Sequence, residues 1–129
     1  MTLEDPVKYV ILIYSNPMTR KIWEELPESQ RAEGWDAYAV LNEELAASGE
    51  AIVQEALADT ALARRVTVSE GRTMTSDGPF AEVKEHLAGF YLVECETFER
   101  AVEIAARIPE AEFGLVEVRP VLDLGGMEM

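Results

Sequence analysis

The stretch Asp77-Gly78-Pro79-Phe80-Ala81-Glu82-Val83-Lys84-Glu85 gathers three carboxylates and one ammonium within nine residues. A carboxylate exchanges protons usefully when a cleft brings its pKa toward neutral pH, so Asp77 and Glu82 are the candidate catalytic pair, with Lys84 beside them to orient an anionic group. The same residues also have a structural reading. Asp opens a turn, Gly and Pro shape it, and Phe80 plugs the core. Turn chemistry accounts for Gly78 and Pro79 but gives no reason for Glu82 and Lys84 on a solvated connection.

Three further candidates for ligand binding lie elsewhere. Tyr14, followed by Ser15 and Asn16, ends an apolar run where a hydroxyl and an amide could orient a small polar molecule; turn entry and helix capping are the alternative roles of Ser15 and Asn16. Tyr38 falls in register with Trp35, so with Trp23 these rings line a pocket or pack in a core or dimer contact. Arg119, before Pro120, offers a guanidinium to an anionic ligand or pairs with Glu117. His86 reads as a solvated histidine in a polar connection, and Cys95 as a small buried hydrophobe alternating with Tyr91 and Val93.

Composition limits the chemistry. The 25 acidic against 11 basic residues give a formal charge of -14, which opposes binding to nucleic acid or anionic lipid. One cysteine and one histidine supply no thiolate or imidazole zinc cluster, so no metal and no cofactor are expected, although carboxylate-only magnesium or calcium sites stay open. No Gly-rich phosphate loop, nucleophile elbow or dinucleotide fingerprint occurs. The chain holds no apolar stretch of the roughly 20 residues that spans a bilayer, and its acidic start is unlike a signal peptide, so a cytoplasmic location is expected.

The elements that must position these residues follow from periodicity. Residues 7–14 form a strand apolar on both faces, Tyr9, Ile11 and Ile13 on one and Val10, Leu12 and Tyr14 on the other. Ser15-Asn16-Pro17 reads as a loop, followed by a polar-aromatic stretch through Trp23. Pro27 suits the first turn of a helix carrying Trp35, Tyr38, Leu41 and Leu45 and closed by Gly49. Residues 51–57 read as a strand, and Val66-Thr67-Val68 and Thr73-Met74-Thr75 as a ribbon turning at Glu70-Gly71. A polar connection over residues 81–88 leads to a strand over 89–95. Thr97 caps a helix with Phe98, Ala101, Val102, Ala105 and Ile108 inward, ended by Pro109, before a last strand at Leu115-Val116-Glu117-Val118. With 129 residues, of which 48% are hydrophobic, the chain is one domain, its core at about residues 7–122.

The order of these elements is that of an α+β ferredoxin-like sandwich: an antiparallel sheet with two helices on one face. Its other face then needs cover, and a homodimer is the symmetric way to provide it.

Residues 8–14, the block 77–85, Asn42-Glu43-Glu44-Leu45 ahead of Gly49, and Val116-Glu117-Val118-Arg119-Pro120-Val121 together resemble the DGPF-domain branch of the YCII-related family. The resemblance implies a dimeric α/β barrel of ferredoxin-like protomers. Catalysis in better-studied relatives has been attributed to a histidine on the first helix paired with an aspartate; counting back from Gly49, Tyr38 occupies that position here. A tyrosine, with an ordinary pKa of about 10, exchanges protons at neutral pH less readily than imidazole at about 6.5. Members of this branch also resemble proteins encoded beside extracytoplasmic-function sigma factors, a regulatory setting. Two functions follow as expectations: binding of a small polar ligand in a cleft closed by residues 77–85, with or without acid–base catalysis, or docking of a basic protein partner on the acidic surface.

Overall fold

A computed structural model describes residues 7–80 and 84–122 of the chain. Strand β1, Val7–Ser15, is followed by helix α1, Pro17–Glu25, and the long helix α2, Glu28–Ser48. Strand β2, Ala51–Ala56, leads to a ribbon of β3, Arg64–Ser69, and β4, Arg72–Asp77. Strand β5, His86–Cys95, helix α3, Phe98–Ala106, a 3₁₀ turn at Pro109–Phe113 and strand β6, Val116–Pro120, complete it.

Four strands form one sheet in the order β2-β5-β1-β6, each neighbour antiparallel. Two β-helix-β crossovers interleaved in this way are the ferredoxin-like topology. β1 and β5 are central, so their inward residues form the core: Ile11 and Val93 are fully buried, with Tyr9, Ile13, Tyr91 and Cys95 around them. Leu41 and Leu45 of α2 and Ala101, Ile104 and Ala105 of α3 close over that face. Ile104 holds the inward place expected of Val102, which is 47% exposed: the inward stripe runs 101, 104, 105 and 108. Phe98 sits at the rim, its ring edge-on to Tyr9 at 5.2 Å.

Helix α1 replaces the expected loop. Asn16 accepts from the Thr19 N–H at 2.8 Å, and the Thr19 hydroxyl accepts from the Asn16 N–H at 3.1 Å, a reciprocal cap that, with Pro17 at the first helical position, starts a helix here. Pro27 caps α2 from just outside its first turn, and Gly49 ends the helix in the left-handed region at φ 77°. Glu70 and Gly71, at φ 51° and 76°, form the expected two-residue hairpin turn. The ribbon joins neither edge of the main sheet, and Val66, Val68 and Met74 on it are at least half exposed. Among the described residues no helix is long and apolar enough to cross a membrane.

The start of α3 is bound to the start of β2 by Arg100, whose Nε and Nη2 donate to Glu50 Oε2 and Oε1 at 2.9 and 2.8 Å. Arg100 holds the Glu50 carboxyl below its ordinary value. A depressed carboxyl adds stability above its unfolded pKa of about 4.3 and loses it as pH falls through the lower folded value. Glu50→Gln is therefore expected to lower stability by about 1 kcal/mol at pH 7, since Arg100 is partly exposed, and the deficit is expected to shrink below about pH 4. Urea unfolding at the two pH values checks this.

Candidate functional site

A cavity of about 760 Å³ opens between the sheet and the first two helices. Its floor is the end of the sheet: Ile13 and Ser15 of β1, Gln54 of β2, and Gly89 and Tyr91 of β5. The N-terminal half of α2 overhangs this floor, and α1 folds back beside it as a second wall. The approach is close because Gly34 has no side chain: a Cβ there would lie 3.1 Å from the Trp23 ring. Gly89 serves the floor similarly, since a Cβ would meet the Glu55 carbonyl oxygen at 2.9 Å and push β2 from β5.

The walls are aromatic. Trp23 and Trp35 meet edge to face, centroids 5.5 Å apart at 88°, and Trp35 continues to Tyr38 at 6.3 Å and 39°. Trp35 is 63% exposed, so its ring belongs to the cavity mouth and not to the core. Phe113 and Pro109, from the 3₁₀ turn, form the back.

Four of the polar lining residues form two hydrogen-bonded pairs. Tyr38 Oη donates to Glu110 Oε1 at 2.6 Å, and Tyr91 Oη donates to Asn42 Oδ1 at 2.5 Å. Burial pushes the Tyr38 hydroxyl well above its usual range, and Glu110 raises it further by accepting its proton and by its charge. Burial also raises Tyr91, again with help from the charge of Glu110 and against the hydrogen bond to Asn42. Both phenols therefore stay protonated at neutral pH and act as donors. At the mouth Arg20 donates to Asp59 at 2.5 Å, tying α1 to the loop after β2. Asp59 is held low first by the backbone N–H of Ala61 and then by Arg20, with a contribution from His86.

Of the candidates named from sequence, Ser15, Trp23, Trp35 and Tyr38 line this cavity. Tyr14 and Arg119 lie on the opposite face of the sheet: Tyr14 follows Val10 and Leu12 there, and Arg119 pairs with Val10 across β1 and β6. Tyr14 Oη donates to Glu117 Oε1 at 3.3 Å, and burial and Glu117 raise its pKa while nearby Arg119 lowers it. Asp77 ends β4 opposite Arg64 on the exposed ribbon, and Lys84 is exposed. Glu82 lies outside the described residues.

The turn at Gly78 does form, with φ 82° and its N–H bonded to Ala63 O at 2.8 Å. Phe80, however, does not plug the core; it is 60% exposed, with the Arg65 guanidinium 5.3 Å from its ring centre. His86 begins β5 opposite Ser15 and is not in a loop. The Cys95 thiol is buried and pushed up to about 11, first by burial and then by the charge of Glu50, as suits a packing residue.

Sequence reasoning left out Asn42, Arg20 and Glu110. Asn42 had a signal, lying one turn after Tyr38 on α2 and so on the same face. Glu110 had none, because its place follows from a 3₁₀ turn seventy-two residues from Tyr38. Among the described residues no group of three or more His, Cys, Asp or Glu side chains is placed to hold a metal ion.

A ferredoxin-like α+β domain whose helices roof a ligand-sized aromatic cavity is the class that fold and site define together. Within that class the chain belongs to the YCII-related family, whose domain model matches residues 7–125. An uncharacterized protein of Rhizobium meliloti (strain 1021) is similar to it, 42% identical over 67 residues, or 50% of this chain and 54% of that protein. The chain thus spans about half the length of the curated relative it matches.

The cavity wall depends on the bare Gly34. Gly34→Val is expected to displace the Trp23 ring, cost about 1–3 kcal/mol through overpacking and weaken the near-ultraviolet circular dichroism of the Trp23–Trp35 pair. Chemical denaturation and the near-ultraviolet spectrum check both parts.

Proposed function

We propose that this protein binds one small organic molecule in the cavity between α1, α2 and the sheet. The observation that carries the reading is the cavity itself: about 760 Å³ lies within the range of small-molecule sites, and its walls are aromatic with a few polar groups among them. Tyr38 and Tyr91 hold Glu110 and Asn42 in place and do not exchange protons with the ligand, because both hydroxyls are held above their ordinary range. Glu110 is the carboxylate of this group of side chains and can accept a hydrogen bond from the ligand.

A ligand at ~100 times its dissociation constant adds about 2.7 kcal/mol, a rise of several degrees in melting temperature at this chain length. A thermal-shift screen against a broad metabolite panel is expected to give hits that also change tryptophan fluorescence, since both tryptophans line the cavity. Hits that survive Tyr38→Ala and Trp35→Ala unchanged would place binding elsewhere.

The protein works, in this reading, as a homodimer joined through the uncovered sheet face. Val10 and Leu12 of β1 pair there with Leu92 and Phe90 of β5, and Val53 of β2 extends the patch toward the sheet edge. No helix of the described chain packs on this apolar surface, and a two-fold axis lets one patch cover its own copy. Leu12→Asp is expected to halve the mass seen by multi-angle light scattering while leaving the helical circular dichroism in place. An unchanged mass would remove this face from the interface.

A further inference from the structure

We infer that the molecule taken up by the cavity is an organic cation: an ammonium carried on an apolar or aromatic body, seated against Glu110 and the faces of Trp35 and Tyr38. This inference rests on the small-ligand reading above and narrows it to one charge class.

Three independent features point the same way. The first is charge. Glu24 and Glu110 line the cavity, whereas the one cationic side chain lining it among the described residues, Arg20, is already engaged by Asp59 at 2.5 Å. Glu55 contributes through its backbone, since in the ladder it pairs with Phe90 and its side chain shares the opposite face. An anionic ligand would meet carboxylates with no free partner, in a chain whose formal charge is -14.

The second is the aromatic geometry. The near-perpendicular Trp23 and Trp35 rings form a corner, and Tyr38 extends it toward Glu110. Aromatic rings lining a cavity supply π faces, the surfaces by which proteins hold ammonium groups. A wall built only for apolar burial would be served equally by leucine or isoleucine, yet the ring wall ends at a carboxylate.

The third is the unused hydrogen-bonding capacity. Tyr38 occupies Glu110 Oε1, and among the described residues no donor is bonded to Oε2. Both tyrosine hydroxyls have turned their protons to protein acceptors. What remains toward the ligand at that end is the carboxylate oxygen, together with the amide N–H₂ of Asn42, which suits an uncharged oxygen on the same ligand. An ammonium N–H meets the former, and a quaternary ammonium meets the same charge without the hydrogen bond.

The test compares three probes of matched shape on the full chain: 3-hydroxyphenyltrimethylammonium, its neutral isostere 3-tert-butylphenol, and 3-hydroxybenzenesulfonate, each titrated by tryptophan fluorescence and calorimetry. The cation is expected to bind about tenfold tighter than the neutral isostere, with the sulfonate weaker still. Glu110→Gln is expected to abolish the preference, with the loss falling on the cation more than on the neutral probe. Should that variant fold poorly, Trp35→Leu, at an exposed position, is expected to reduce the same preference severalfold. Equal or tighter binding of the neutral or anionic probe would overturn the cation assignment and leave the small-ligand reading intact. Silence from all three probes and from the metabolite panel would overturn both.

Discussion

The structure depends on the double pairing of β1. This strand is hydrogen-bonded to β5 on one side and β6 on the other, so its backbone polar groups are satisfied within the sheet and its two faces are free to differ. Tyr9, Ile11 and Ile13 turn inward and bring α2 and α3 down on one side; Val10 and Leu12 turn outward. The shift in register between Ile13 and Tyr14 then ends this regularity at the point where the cavity begins. A one-residue slip of β1 would exchange the two faces and abolish both the core and the floor of the site.

From that floor the site is built by overreach. Only Leu41 and Leu45 of α2 are buried, so the earlier part of the helix extends past the hydrophobic core. The space beneath it is bounded by α1, which exists because Asn16, Pro17 and Thr19 start a helix directly at the end of β1. Gly34 lets the two helices touch through Trp23, and Arg20 holds α1 to the loop carrying Asp59. Packing to full density would have filled this space with side chains; two glycines and a ring of aromatic residues line it instead.

The fold was largely legible in the sequence because its central strands are near-continuous apolar runs and its turns carry residues with few other uses. Gly49 and the Glu70-Gly71 pair adopt the left-handed backbone that their types suggest. Helix α1 was missed because its apolar residues are sparse, leaving only the Asn-Pro-x-Thr start as a signal. The block 77–85 attracted attention through its density of charge, yet charge density measures solvation as much as chemistry, and Asp77 stands on an exposed ribbon. Tyr38 was legible as a candidate because helical spacing set it beside Trp35. Its partner Glu110 was not, since no local pattern encodes a contact made through a 3₁₀ turn far along the chain.

The pairing of Tyr38 with Glu110 sets what chemistry this end of the cavity can offer. An imidazole at this position would titrate near neutral pH and move protons to a ligand. A buried phenol donating to a carboxylate does the reverse: burial favours the protonated phenol, the carboxylate adds to the effect, and the hydroxyl becomes a fixed dipole. The proton that Tyr38 gives to Glu110 Oε1 leaves the other carboxylate oxygen without a donor among the described residues. Charge at this end of the site therefore resides on a carboxylate held in place by a neutral donor, and selectivity between ligands follows from where that charge is fixed.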